Sequence, residues 1–289
     1  KSLYMKKLNE LFYIILIIVI LQILYECFNN RYELYDNFVL NKDDRLYIKL
    51  QDLVFNENHF YKNDIDLFNK YGEFSKWNSI KVLDAGTGFG RHYNELPNNI
   101  EKIGVDKENL YLERAEIRNP EGKFILGKLE NNKLFNKQSF SHILCTMDTI
   151  YNNRPNHEMD NIISNFRYWL KDNGILAIHI YEKNKDLDPA PRNFSLVYND
   201  KSKSKHALTY FEHFTHDAVF KNTGKYLYEY VEKYIMKSGN TIKRKRELHI
   251  IPKEDMMKKL LENNFKLYHK EKLDDIGIDD FSLYFFKKQ

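Results

Sequence analysis

Cysteine is nearly absent: Cys27 and Cys145 are the two in a chain of 289 residues. Two cysteines build no disulfide framework, and no Cys/His cluster has zinc spacing, so no metal site is expected. A strong charge of one sign is missing as well. Lys and Arg number 45 against 41 Asp and Glu, a formal charge of +4. That balance is too mild to imply a nucleic-acid partner, and none is expected. The basic run "KRKR" (Lys243–Arg246) falls on a predicted strand, where side chains alternate between two faces instead of forming a patch. No internal repeat is present, and "KSKSK" (Lys201–Lys205) is too short to be a low-complexity tract.

One long apolar run stands out, "LFYIILIIVILQILYECF" (Leu11–Phe28), preceded by Lys6 and Lys7. Up to Tyr25 it is broken only by Gln22. As a helix that part spans roughly 22 Å, against a hydrocarbon core of roughly 30 Å, and Leu8 and Phe28 nearly close the gap. A signal anchor is the favoured reading. A cleaved signal peptide lacks its small-residue cleavage site, and a buried helix would show one polar face, of which this run has almost none. The expectation is a single-pass, membrane-associated protein, with the side of the membrane left open.

Beyond this run the texture is polar and aromatic to about Ser75, with "DRLYIKLQDLVF" and "NDIDLFNKYGEF" patterned as helices. Then "SIKVLDAG", "EKIGVDKE", "GKFILGKL", "FSHILCTM" and "GILAIHIY" read as strands. Between the last two, "HEMDNIISNFRYWLKDNG" carries Met159, Ile162, Ile163, Phe166, Trp169 and Leu170 on one helical face, with Gly174 as a predicted stop. Strands alternating with helices imply a parallel sheet covered on both faces. After Tyr181 the pattern changes. "KHALTYFEHFTHDAVF", "KYLYEYVEKYIM" and "TIKRKRELHII" alternate as antiparallel strands, the last two joined at Ser238–Asn240. "PKEDMMKKLLENNF" returns to helix, and "FKLYHKE" and "FSLYFFKK" close as an antiparallel pair.

The chemistry centres on "VLDAGTGFGRHYNE" (Val82–Glu95). Glycines at 86, 88 and 90 follow a strand directly, where bare backbone lets a ligand approach the free amides of a helix start. A dinucleotide site requires G-x-G-x-x-G, with pyrophosphate at the helix start. Here the third position is Arg91, which is too large for close packing on the strand, and Asp84 would face the anionic pyrophosphate. A carboxylate there suits a cationic ligand instead. A nicotinamide oxidoreductase is therefore the weaker alternative.

"VLDAGTGFG" resembles the first motif of the class I S-adenosylmethionine-dependent methyltransferases, and "GVDKE" resembles their second. The resemblance implies S-adenosylmethionine as cofactor. It places Asp84 near the ammonium, often through water, and the bare backbone at Ala85, Gly86, Gly88 and Gly90 against the cofactor. Asp106, about twenty residues after Gly86, would accept the ribose hydroxyls, and Lys107 would lie beside the adenosine. In "GKLEN" the usual aspartate is replaced by Lys128. Leu129 would then offer its amide to adenine and Glu130 a carboxylate. Cys145 and Thr146, at the end of "SFSHILCTMD", would line the methionine half. The departure at Lys128 motivates a second alternative, a non-catalytic cofactor-binding or scaffolding protein.

Methyl transfer is an in-line displacement in which alignment supplies most of the effect, and a general base is needed only for a protonated acceptor. No catalytic residue is universal to the family. The acceptor-side candidates are Asp148 and Tyr151 after the fourth strand, and His179 and Tyr181 at the end of the fifth, because open α/β sheets bind ligands at those carboxyl ends. The acceptor is expected to be a small molecule or a protein group. The fold expected is α/β, a Rossmann-like methyltransferase fold with a mostly parallel seven-stranded sheet, an antiparallel β insertion after the fifth strand and an N-terminal hydrophobic helix. The expected divisions are 1–30 as membrane anchor, 31–77 as a helical cap and 78–289 as the methyltransferase domain, with the insertion at about 191–251.

Overall fold

The computed structural model describes residues 44–55, 60–152, 156–182, 195–199, 204–273 and 281–289. The apolar run Leu11–Phe28 lies outside them, as do Cys27 and most of the segment between Tyr181 and Ser195. Among the described residues no helix is long and apolar enough to cross a membrane. The chain divides into two units, 1–49 and 50–289. Of the first, only the opening residues of helix α1 (Asp44–Phe55) are described.

The second unit is built on seven strands: β1 (Lys81–Ala85), β2 (Glu101–Asp106), β3 (Phe124–Leu126), β4 (Phe140–Cys145), β5 (Leu170–Tyr181), β11 (Phe265–Lys272) and β12 (Phe281–Lys288). Their order is β11-β12-β5-β4-β1-β2-β3. All neighbours are parallel except β5–β12 and β12–β11. All six residues of β4 are buried, as are Gly174–Tyr181 of β5. Apolar side chains on both faces are what a doubly covered parallel sheet demands. The expected α/β architecture with a mostly parallel seven-stranded sheet is therefore observed, while the expected N-terminal hydrophobic helix lies outside the described residues. Strand order reverses at β1, which pairs with β2 on one side and β4 on the other, so the crevice for a ligand opens at its carboxyl end. Ala85 lies opposite Val105, which sets Gly86 beside Asp106.

Two helices precede the sheet. In α2 (Phe60–Tyr71), Tyr61, Asp64, Ile65 and Phe68 are buried along one face, at the spacing of a single helical stripe. Complete burial of Ile65 and Phe68 stabilises by about 1.5–3 kcal/mol each. Asp64 is the anomaly, a carboxylate at a core position with no exposed surface. Helix α3 (Arg91–Glu95) follows the glycine turn, and α4 (Asn109–Arg118) follows β2.

Helix α5 (Asn156–Trp169) buries Met159, Ile162, Ile163, Phe166 and Trp169, as its periodicity requires. It stops earlier than its sequence suggests, at Trp169, and β5 begins at once. The left-handed turn residue is Asn173, at φ 62°. Gly174 serves for lack of space instead: a Cβ there would stand 2.7 Å from the Lys171 carbonyl. After the insertion, α6 (Lys253–Glu262) leads into β11.

The insertion is a separate antiparallel sheet, β6 (Ser195–Asn199), β7 (Ser204–Tyr210), β8 (Phe214–Gly224), β9 (Leu227–Met236) and β10 (Thr241–His249), in the order β10-β9-β8-β7-β6. The long alternating stretch Lys205–Phe220 is two strands, not one. Phe211–His213 turn between them, and the Phe211 amide donates to the Phe214 carbonyl. In β10, Lys243 and Lys245 face solvent while Arg244 and Arg246 are half-buried, the alternation a strand imposes. The end of β10 is stitched to the segment after β4, where the His249 amide donates to the Tyr151 carbonyl at 2.8 Å.

Candidate active site

The glycine turn joins β1 to α3 with all three glycines at positive φ: Gly86 at 75°, Gly88 at 53° and Gly90 at 69°. The environments differ. A Cβ on Gly86 would collide with Thr149 at 2.3 Å, and one on Gly90 would press on Asn119 and Ala115. A Cβ on Gly88 would meet nothing within 4 Å. Gly88 is thus the bare backbone that faces open space, beside the end of β2, and the turn fits a ligand laid over it. Ala85, one residue earlier, is buried in β1.

Two carboxylates shape this turn. Asp106 Oδ2 accepts the Gly88 amide at 2.9 Å, and Oδ1 accepts the Glu108 amide at 3.0 Å. Burial raises its pKa against the pull of those two amides. Each oxygen keeps acceptor capacity for a second donor such as a sugar hydroxyl. Asp84 is turned inward, with 1% exposure, and accepts the Thr87 hydroxyl at 2.6 Å and the Tyr93 amide. Burial raises its pKa also, opposed by His92, Thr87 and Tyr93. At that depth Asp84 has almost no surface to offer a ligand directly.

The remaining candidates for the cofactor side are distributed over the ends of β2, β3 and β4. Lys107 follows Asp106 and is partly exposed. Leu129 is buried, its carbonyl accepting Asn165 Nδ2 at 2.8 Å, while Glu130 and the exposed Lys128 flank it. Cys145 is a buried thiol at the end of β4, and Thr146 is buried beyond it. Arg91 has a purpose that the sequence does not reveal. Its guanidinium lies over Phe89 and donates to Asp52 of α1 at 2.8 Å. Asp52 also receives Arg114 at 2.6 Å and Arg118 at 2.7 Å. Burial would raise the Asp52 pKa, but the three guanidinium groups outweigh it and hold the carboxyl below its ordinary range.

Among the acceptor-side candidates, the Tyr181 hydroxyl donates to Asp148 Oδ1 at 2.8 Å, and Arg246 of the insertion approaches Asp148 Oδ2 at 4.0 Å. The Asp148 side chain is 26% exposed. Tyr151 is fully buried and its hydroxyl accepts the Tyr181 amide, so it supports β5 from behind. Burial raises its pKa well above that of a free phenol. The insertion faces this crevice: Tyr111 on α4 is raised by burial and sits in the combined field of Arg246, Glu232 and Asp106.

His179 belongs to a buried cluster absent from the sequence reading. Asp64 Oδ1 meets His179 Nε2 at 3.2 Å, and Asp64 Oδ2 meets His92 Nε2 at 2.8 Å. Burial would raise the Asp64 pKa, yet the two histidines hold it well below the carboxylate range. The signal available in sequence was an aspartate set inside the apolar stripe of α2.

Residues 82–174 match the family model described as a methyltransferase domain. No curated protein matches the chain. Among solved structures, an S-adenosylmethionine-dependent methyltransferase from Clostridium acetobutylicum shares 14% identity at a TM-score of 0.65, covering 91% of this chain and 99% of its own. CalS10, an amino pentose methyltransferase from Micromonospora echinaspora solved with S-adenosylmethionine, shares 13% at 0.63, covering 81% and 93%. The sugar N-methyltransferase KedS8 from a Streptoalloteichus species shares 16% at 0.61, covering 83% and 92%. At these identities the likeness is one of fold. The sheet order around the glycine turn agrees with the domain match: residues 82–174 are a methyltransferase domain, carried on the Rossmann-like fold of the S-adenosylmethionine-dependent methyltransferases.

Proposed function

We propose that the protein transfers a methyl group from S-adenosylmethionine to the nitrogen of a small-molecule amine. The cofactor supplies a methyl on a sulfonium that carries its own leaving group. The chain has to seat that donor over Gly88 and beside Asp106, exclude water, and bring the acceptor nitrogen in line with the methyl.

The observation that carries the acceptor reading is the Asp148–Tyr181 pair. It is a partly exposed carboxylate at the carboxyl end of β4, fixed in direction by a phenol from β5. A carboxylate there attracts an ammonium and lies in reach of the proton that an amine must shed before its lone pair attacks. The amino-sugar and sugar-nitrogen specificities of CalS10 and KedS8 support the same chemistry. The test incubates the full chain with S-adenosylmethionine and paired acceptors, aminated sugars against their hydroxyl analogues, with mass detection. A one-methyl mass gain confined to the amines is expected. Methylation of the hydroxyl analogues alone would overturn the reading.

A separate proposal, membrane attachment, has its sole support in the apolar run Leu11–Phe28 of the sequence. Retention in the membrane pellet after alkaline extraction is the expected result, and release to the supernatant refutes it.

A further inference from the structure

Thr146 and Met147 are consecutive at the carboxyl end of β4, where the donor's methionine end and the acceptor meet if the methyl-transfer reading holds. Each is bonded to a histidine: Thr146 Oγ1 to His92 Nδ1 at 3.2 Å, and the Met147 amide to His179 Nδ1 at 2.9 Å. The opposite nitrogens of both rings converge on the carboxylate of Asp64. Asp64, His92, His179 and Thr146 are all buried.

We propose that Asp64 is a positioning residue for methyl transfer, one carboxylate on α2 that orients the Thr146 hydroxyl and the Met147 amide through His92 and His179. The inference rests on the proposed function.

The proton directions carry the argument. A backbone amide only donates, so His179 Nδ1 is the acceptor and its proton sits on Nε2, donated to Asp64. Asp64 accepts a second proton bond from His92 Nε2. His92 Nδ1 is then the lone pair that receives the Thr146 hydroxyl. The Thr146 oxygen is left with its lone pairs turned away from His92, an acceptor presented beside the site. Met147 has φ 54°, a conformation costly for a side-chain-bearing residue, and its amide bond to His179 holds it there.

A merely electrostatic cluster is indifferent to which ring nitrogen carries each proton; a directional relay is not. Asp64→Asn keeps the shape but offers one acceptor and one donor. Its oxygen still satisfies His179, because the Met147 amide cannot reverse. Its NH2 then faces His92, which must move its proton to Nδ1, and the Thr146 hydroxyl must turn round to accept.

The test measures imidazole nitrogen resonances by NMR, melting temperature, donor affinity and steady-state kinetics for the full chain and for D64N. Expected are Nε2–H tautomers for both histidines in the unmodified protein, and a switch of His92 to Nδ1–H in folded D64N. The kcat of D64N should fall about 10- to 100-fold, with acceptor KM changed less than about threefold. Unchanged tautomers, or unchanged kcat in folded D64N, overturn the proposal. Should D64N not fold, Thr146→Val removes the terminal hydroxyl alone; its kcat should fall likewise, and a value within about twofold of the parent overturns it. The tautomers are read without any acceptor. An Nδ1–H on His92 in the unmodified protein therefore sinks this inference independently of whether the methyl-transfer reading survives.

Discussion

The amide of Gly88 donates to Oδ2 of Asp106 across 2.9 Å, joining the turn after β1 to the end of β2. One bond thereby fixes the turn against β2, and Gly88 presents its other face to open space.

Gly86 and Gly88 should separate stability from binding. Gly88→Ala places a methyl in the ligand's space. It should cost about 1 kcal/mol of stability from its positive φ, yet lower S-adenosylmethionine affinity about tenfold or more. Gly86→Ala drives a methyl into Thr149 and should cost about 3 kcal/mol. Calorimetric titration and thermal melting of the two variants distinguish the outcomes.

Asp52→Ala leaves Arg91, Arg114 and Arg118 facing one another without their shared carboxylate. The arginines retain some contact with water, so the loss should be about 2–3 kcal/mol, below the range for a fully buried pair. A melting temperature lower by roughly 5–10 °C is expected. Donor affinity should fall as well, because Arg91 sits directly after the glycine turn.

Glu182 ties three elements together, accepting from Lys253 at 3.1 Å, Tyr284 at 2.7 Å and Lys270 at 2.5 Å. Burial opposes its ionisation, but these partners win and lower its pKa from 4.5 to about 2. A depressed carboxylate contributes stability above its unfolded pKa and loses it as pH falls through the folded value. Glu182→Gln should be less stable at neutral pH by on the order of 2 kcal/mol, allowing for partial solvent screening. The difference from the parent should shrink between pH 4.5 and about 2. Melting curves across that window provide the measurement, and a gap that stays constant contradicts the assignment.

Tyr181→Phe preserves the ring beside Tyr151, at 5.1 Å between centroids, and deletes the hydroxyl that orients Asp148. Loss of a hydrogen bond to a charged group, about 1.5–3 kcal/mol, should reduce kcat/KM for the amine about tenfold or more. S-adenosylmethionine affinity should not change. Equal kinetics for the two proteins would remove Asp148 and Tyr181 from the acceptor side.

Much of this was legible along the chain. The buried runs of β1, β4 and β5, the helical stripe of α5 and the turn at Gly86–Gly90 are short-range consequences of backbone geometry and local burial. So is the placement of Asp106, since a parallel register carries it to the end of β2 beside Gly86. Boundaries were less legible. Asn173 takes the left-handed turn that Gly174 suggested, and Lys205–Phe220 conceals a hairpin, because hydrophobic alternation continues through a tight turn without a glycine.

Sequence alone thus determined the layered α/β architecture and the ligand-facing turn, whose requirements are settled within a few residues of each glycine and each strand end. Only the tertiary structure decided that Arg91 would brace α1 through Asp52, and that Asp64 would hold His92 and His179, 28 and 115 residues away in the chain. A buried carboxylate must be matched by donors wherever the fold brings them. Chain distance does not encode which donors arrive; packing of α2 against the sheet does.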